Sequence, residues 1–388
     1  MPSPYVEPLP HELMVDDEDG FVASVKDTDL VYFLLNVGDG DCQLILLPMD
    51  AKTERRQAIV VDVAKFEKLE DLLDALNATP LFSDEVAAQV EKFAVVVGTH
   101  PHADHIAGMP RFLDRFGGQV GEYWDSGYYH TTAGYHRTMT ALEDHDGEQI
   151  AVVQPTSGAA RFIGQVKITV LTPGVGLKNR YDTYGIDLNN SSISLKLEFP
   201  ASRVVQRGAD RSLVRPRTQS MILGADAQTV SWAQAMADFP ELRPSDSPVA
   251  KAMDRAQGNY PLKANVFKVP HHGSKHGLNL ELVELISPAV SLISSVSGAG
   301  KYNFPHLLSL ESIREARDAI ASKVDGKHDP DHDLGIHLTG AEDDQGNALG
   351  SIALVMSSTS GKRTMWRFYD GPGDAVDFAR ARRLDPTP

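Results

Sequence analysis

The feature that most restricts this chain is the run His100-Pro101-His102-Ala103-Asp104-His105, placed directly after Phe93-Ala94-Val95-Val96-Val97-Gly98. A short, wholly apolar segment that ends in a polar turn reads as a strand buried on both faces. Four metal-ligating side chains are then delivered to one end of that strand. In extended chain, residues two apart point to the same side, so His100 and His102 can share one ion. Asp104 and His105 follow as the chain turns into the helix of Ile106, Met109 and Phe112, and they face a second ion beside the first. Imidazole and carboxylate donors suit zinc, with manganese or iron as alternatives. Taken singly, Asp104 would equally serve as a helix N-cap. Cys42 is the only cysteine, so no disulfide or thiolate-rich zinc site can form within the chain, and any metal must be held by nitrogen and oxygen.

Elsewhere, apolar runs of strand length alternate with helical periodicity. Strands are expected at 30–35, 43–47, 58–62, 150–153, 166–171, 192–199, 221–224, 265–269, 290–294, 352–356 and 364–369. Helices are expected at 66–76, 84–92, 134–144, 227–237, 280–286 and 308–321. Frequent crossovers between the two predict an α/β protein with helices covering the outer faces of sheets. Residues 1–26, rich in proline and acid, read as an N-terminal arm or loose lead-in. Residues 27–322 read as one domain with insertions at 203–217 and 240–261, and 323–388 as a C-terminal extension packing on it; 325–350 also reads as a surface stretch.

The formal net charge of -16 disfavours a general binder of long duplex DNA, because neutralising phosphates needs clustered Lys and Arg. A small anionic substrate is not disfavoured, since bound cations set the local field in a cleft. The most basic stretch is 203–217, with Arg203, Arg207, Arg211, Arg215 and Arg217; it reads as a solvated hairpin, or as a phosphate clamp if it leaves the sheet at the metal end. No stretch approaches the about 20 apolar residues that cross a bilayer, and the start lacks the basic and apolar pattern of a secretion signal, so the expected location is cytoplasmic. A phosphate-cradling glycine loop and a Gly-x-Ser-x-Gly elbow are both missing from the sequence.

The hexapeptide after an apolar strand resembles the His-x-His-x-Asp-His signature of the metallo-β-lactamase superfamily. More specifically, Asn36-Val37-Gly38-Asp39-Gly40-Asp41, Asn189-Asn190-Ser191-Ser192, Leu223-Gly224-Ala225-Asp226 and Val269-Pro270-His271-His272-Gly273-Ser274 are similar, in order, to motifs of its ComEC-type competence branch. The resemblance spans about Val31 to Leu310 and implies a four-layer αββα sandwich, with a two-metal site at one edge between the sheets. It implies that Asp226 bridges the ions, although a lone Asp between a strand and a helix is more often an N-cap. His271 and His272 lie where the superfamily places its last histidine ligand. Neighbours in extended chain face opposite ways, so we read His272 as the ligand and His271 beside the substrate or hydrogen-bonded behind the site; the reverse order stays open. His306 stands where the branch has a histidine, but Lys301-Tyr302-Asn303-Phe304-Pro305-His306 departs from the branch's Asn-x-Tyr-x-His-Pro, so His306 is a ligand or general acid, or it caps the helix near Leu308. Asp62 resembles the superfamily's supporting Asp, and Asp41 is read the same way. His130, His136 and His145 are expected at the surface, where any one could contact substrate, and His328, Asp329, Asp331, His332 and Asp333 in a solvated loop, with a third metal site as the alternative.

The function implied is hydrolysis by a metal-activated hydroxide, with Asp104 orienting the nucleophile and His271 or His306 stabilising or protonating the departing group. The expected substrate is a phosphodiester in single-stranded nucleic acid or a small nucleotide-like ester. Lactone, thioester or lactam hydrolysis, an iron oxygenase on the same ligands, and a non-catalytic metal-containing interaction protein are the alternatives. The acidic surface and insertions would suit a protein partner, and the oligomeric state is left open.

Overall fold

Alternation along the strands decides the architecture. A computed structural model describes residues 12, 14–17, 19–82, 91–145, 150–178, 188–207, 210–214, 216–238, 262–297, 301–324 and 335–384. The helix expected at 84–92, the insertion at 240–261 and the cluster from His328 to Asp333 lie largely or wholly outside them. Within Leu30–Leu34 every residue is buried, yet Val31 and Phe33 join one apolar cluster while Tyr32 and Leu34 join another. Successive side chains leave opposite faces of a strand, so each face of this sheet needs its own cover.

Helices Phe66–Asn77 and Met109–Phe116 cover one face through Leu69, Leu72 and Phe112. A second sheet covers the other, through Ile168, Leu195, Met221 and Val266. The far face of that second sheet carries Ile222, Phe267 and Ile293, packed under Trp232, Val283 and Ile313 of helices Thr229–Asp238, Leu280–Ile286 and Leu307–Val324. The order helix, sheet, sheet, helix is the four-layer αββα sandwich expected.

In the first sheet Met14–Val15, Arg382–Leu384, Arg363–Arg367, Ile352–Met356, Leu30–Leu34, Cys42–Leu46 and Ala58–Val63 lie side by side. Phe93–Gly98, Val120–Asp125 and Ala151–Val153 then extend it in parallel. The second sheet is parallel from Gln219–Leu223 through Val266–Lys268 and Val290–Ile293 to Ile336–Leu338. Loops after the carboxyl ends of these parallel strands converge, the usual place for a site in α/β sheets.

Val120–Asp125 was not expected as a strand, because Gly121, Glu122 and Asp125 break its apolar pattern; pairing on both edges and burial of Tyr123 and Trp124 override that. The stretch before Lys26 also packs more closely than a loose lead-in: Phe21 is buried against Phe33, Trp366 and Phe368. Glu12 joins the nearly inaccessible Arg367, which donates from Nε to Glu12 Oε2 at 2.7 Å, and His337, whose Nδ1 lies 2.8 Å from Oε1.

That triad predicts an acid-sensitive contribution to stability. Burial alone would raise the Glu12 carboxyl, but Arg367 and His337 outweigh it and hold it far below its ordinary value of 4.5. A depressed carboxylate stabilises the fold above its unfolded value, and the benefit fades as the unfolded chain takes up the proton below it. The stability difference between the natural chain and Glu12→Gln should therefore be full at neutral pH and shrink as pH falls below 4.5. Urea unfolding at a series of pH values reads this out; a pH-independent difference would contradict it.

Candidate metal centre

Phe93–Gly98 ends beside Tyr123, whose hydroxyl would sit 2.3 Å from a Cβ on Gly98; a glycine there lets the chain leave the sheet close to its neighbour. Thr99 follows, held from both sides of one carboxylate: its N–H donates to Asp62 Oδ1 and its hydroxyl to Oδ2, each at 2.8 Å. His100 and His102 then extend to the same side, with Nε2 of the first 3.0 Å from Nδ1 of the second. The short helix Ala103–Ile106 begins after His102, so Asp104 stands in its first turn and is not its cap.

Asp226 lies on the turn after Gln219–Leu223, where Ala227 N–H closes on the Gly224 carbonyl at 3.1 Å, and it precedes helix Thr229–Asp238 by too many residues to cap it. Its two oxygens divide the site. Oδ1 is 3.1 Å from His105 Nε2, without the geometry of a hydrogen bond, and 3.7 Å from His272 Nε2; His272 Nε2 is in turn 3.8 Å from Asp104 Oδ2. Oδ2 is 3.8 Å from His100 Nε2 and 3.6 Å from His271 Nε2. One donor set is thus Asp104, His105 and His272, and the other His100, His102 and His271, with Asp226 between. The first is the tighter: ligand atoms of Asp104, His105, Asp226 and His272 all lie within 4.8 Å of one another.

The expectation that adjacent histidines would face opposite ways fails here because Pro270–Gly273 is not extended. His271 and His272 both take left-handed backbone, at φ 51° and 53°, so both rings turn toward Asp226. Such conformations are costly for residues other than glycine and gather at functional sites. His271 thereby becomes a candidate donor beside His100 together with His272, where the extended-chain reading allowed only one of the two.

These residues fit a metal pair. His105 Nε2, His272 Nε2 and Asp226 Oδ1 are buried with no hydrogen-bond partner, an expensive arrangement unless something else satisfies them. The opposite nitrogens are already committed: His272 Nδ1 donates to the Ser294 carbonyl at 2.9 Å, and His105 Nδ1 lies 2.7 Å from Asp62 Oδ2. A histidine fixed through one nitrogen presents the other as a lone pair, the usual support of a metal ligand. Burial pushes His100 well below the ordinary imidazole range, which favours the neutral, ligating form. His105 goes the other way: burial would lower it, but Asp226 and Asp62 hold it well above. A cation would replace that proton between the carboxylates.

A second group, Asp41, Asp62 and His105, is the support under the first and no separate site. Both Asp62 oxygens are taken by Thr99 and His105, and the buried Lys268 ammonium pairs with Asp41 Oδ2. Asp41 N–H also donates to the Asp104 carbonyl at 2.9 Å, and a Cβ on Gly40 would meet that carbonyl at 2.9 Å. The turn 36–41 therefore braces the hexapeptide. Asn36 does not reach the site; its side chain donates to the Asp370 carbonyl at 2.9 Å. His306 is tied to the His-His-Gly turn by its N–H, 2.8 Å from the Gly273 carbonyl, and its Nδ1 accepts from Leu308 N–H at 3.3 Å. It is outside the cluster and at the start of the helix.

The basic hairpin lies elsewhere. Arg203–Arg207 and Asp210–Val214 pair antiparallel and leave the second sheet from Phe199 and Gln219. Asp226 follows the opposite end of that pair, beyond Leu195 and Leu223. The hairpin thus departs at the strand ends remote from the metal-ligating cluster, which removes the geometric premise of a phosphate clamp.

Residues 57–189 match the metallo-beta-lactamase superfamily. The matched span holds Asp62, the hexapeptide and Asn189, about a third of the chain, and supports the superfamily resemblance; Asp226, His271 and His272 lie beyond it. No curated protein matches the chain. Among solved structures, the chain is similar to the metallo-beta-lactamase fold protein YhfI from Bacillus subtilis, at 10% identity and TM-score 0.36, over 75% of this chain and 93% of that one. It is also similar to Igni18, a metallo hydrolase from the archaeon Ignicoccus hospitalis, at 12% identity and TM-score 0.34, over 76% and 91% of the two chains. Among the described residues, no helix is long and apolar enough to cross a membrane.

Proposed function

We propose that the chain is a metal-dependent hydrolase of the ComEC-type branch of this superfamily, acting on a phosphodiester. The observation that carries the hydrolase reading is the pair of donor sets meeting at the two oxygens of Asp226, with buried ligand atoms left unsatisfied. The substrate class rests on the order of the motifs around Asn189, Asp226 and His271.

When bound, two divalent ions supply hydroxide at neutral pH and counter-charge for a phosphoryl oxygen; zinc suits the donors best. The chain's own groups do the rest. Asp104, 41% exposed, is open to solvent and placed to accept a hydrogen bond from the incoming hydroxide and aim it. His271, partly exposed, flanks the Oδ2 side of Asp226 and completes the donor set of His100 and His102. His306 accepts at Nδ1 from Leu308 N–H, which leaves Nε2 to donate a hydrogen bond to the leaving oxygen.

The test is a substrate panel on zinc-loaded full-length protein. Bis-nitrophenyl phosphate should be hydrolysed and nitrocefin little or not at all, and the reverse ranking would move the chain to a lactamase reading. His306→Asn, which retains a capping side chain, should lower turnover of the phosphodiester. Unchanged turnover would leave His306 as a helix cap.

A further inference from the structure

Next to the His271-His272 turn stands an aromatic step that no metal chemistry requires. Phe304 packs on both histidine rings, with centroids 5.6 Å from His271 and 5.8 Å from His272. Tyr302 stacks on Phe304 at 5.6 Å, with ring planes 28° apart. Tyr302 is 58% exposed, so one face of its ring is within reach of a ligand. The loop beneath it is held at three points. The Ser295 hydroxyl donates to the Phe304 carbonyl at 2.8 Å, His306 N–H donates to the Gly273 carbonyl at 2.8 Å, and Pro305 sits where a Cβ on Gly273 would meet it at 2.6 Å. The ring is thus preorganised, two aromatic steps from the metal-ligating cluster. Lys301 Nζ lies over it, 4.8 Å from the centroid.

We propose that Tyr302, backed by Phe304, is a stacking platform for the nucleobase next to the reacting phosphate, so that the substrate is a nucleotide ester. The inference rests on the phosphodiester reading and narrows it. An aromatic face beside a phosphate-handling site suits any base, since every base presents a π-face. Exposed Lys301 is no obstacle: a solvated cation–π contact is weaker than a base–aromatic stack, so a base displaces the ammonium, which is then free to pair with phosphate.

Equilibrium binding separates this claim from turnover. Zinc-loaded full-length protein is titrated calorimetrically with AMP and with ribose 5-phosphate, which share the phosphate and differ in the base. AMP should bind about tenfold tighter or more. Tyr302→Ala should bring the two ligands to parity, and Tyr302→Trp should keep the gap. Equal affinities in the natural protein, no binding of either ligand, or a gap that survives Tyr302→Ala would overturn the platform. Phosphodiester turnover is scored apart: its loss with the AMP preference intact sinks the hydrolase reading and leaves the platform standing.

Discussion

Asp226→Asn is expected to lower phosphodiester turnover by on the order of a hundredfold or more. Outer supports of a metal site typically cost 10–100-fold when removed, and Asp226 stands between both donor sets. Among the described residues it is the one carboxylate within 4 Å of His100, His105, His271 and His272 together. Burial alone would raise its carboxyl, but His105 and His272 hold it well below the ordinary range, so the charge is present whenever the site can work. Asn keeps the shape and removes that charge. The variant should stay folded by circular dichroism, bind metal more weakly and lose turnover. Near-normal turnover would show that the carboxylate charge is dispensable and would return Asp226 to a purely structural turn residue.

The second large effect belongs to Lys268. Its ammonium is fully buried against the fully buried Asp41, under His105 and His272. Breaking a buried pair leaves an uncompensated charge and costs about 3–5 kcal/mol, while replacing both partners by apolar groups is often neutral. Lys268→Met should therefore destabilise the chain by about that amount in urea unfolding. The double variant Lys268→Met, Asp41→Leu should recover much of the loss, though less than all, because Asp41 also faces the site. Equal destabilisation in the single and double variants would show that the pair is not coupled as its geometry requires.

Much of this was legible in the sequence where chemistry and periodicity agree. The hexapeptide after a six-residue apolar strand placed His100 and His102 on one side, and the strand Phe93–Gly98 and helix Leu280–Ile286 begin and end where the pattern predicts. The pattern fails where tertiary context overrides it. Val120–Asp125 lacks an apolar period and becomes a strand because two neighbours pair with it. Ile336–Leu338 hides in a polar stretch because its central His337 pairs through Nδ1 with Glu12, 325 residues away in sequence. The left-handed turn at His271 and His272 carries no signal in two identical side chains, so their convergence on Asp226 was beyond the extended-chain argument. Lys268, a charged residue inside an apolar strand, was the one visible clue to the buried pair beneath the site, and only the position of Asp41 across the sheets explains it.

The central claim is that these donor sets hold two metal ions. Purified full-length protein, stripped with chelator and reconstituted with zinc at neutral pH, should retain close to two ions per chain after gel filtration. His102→Ala should lose one and keep the set of Asp104, His105 and His272. Retention of no metal by the natural protein would contradict the account.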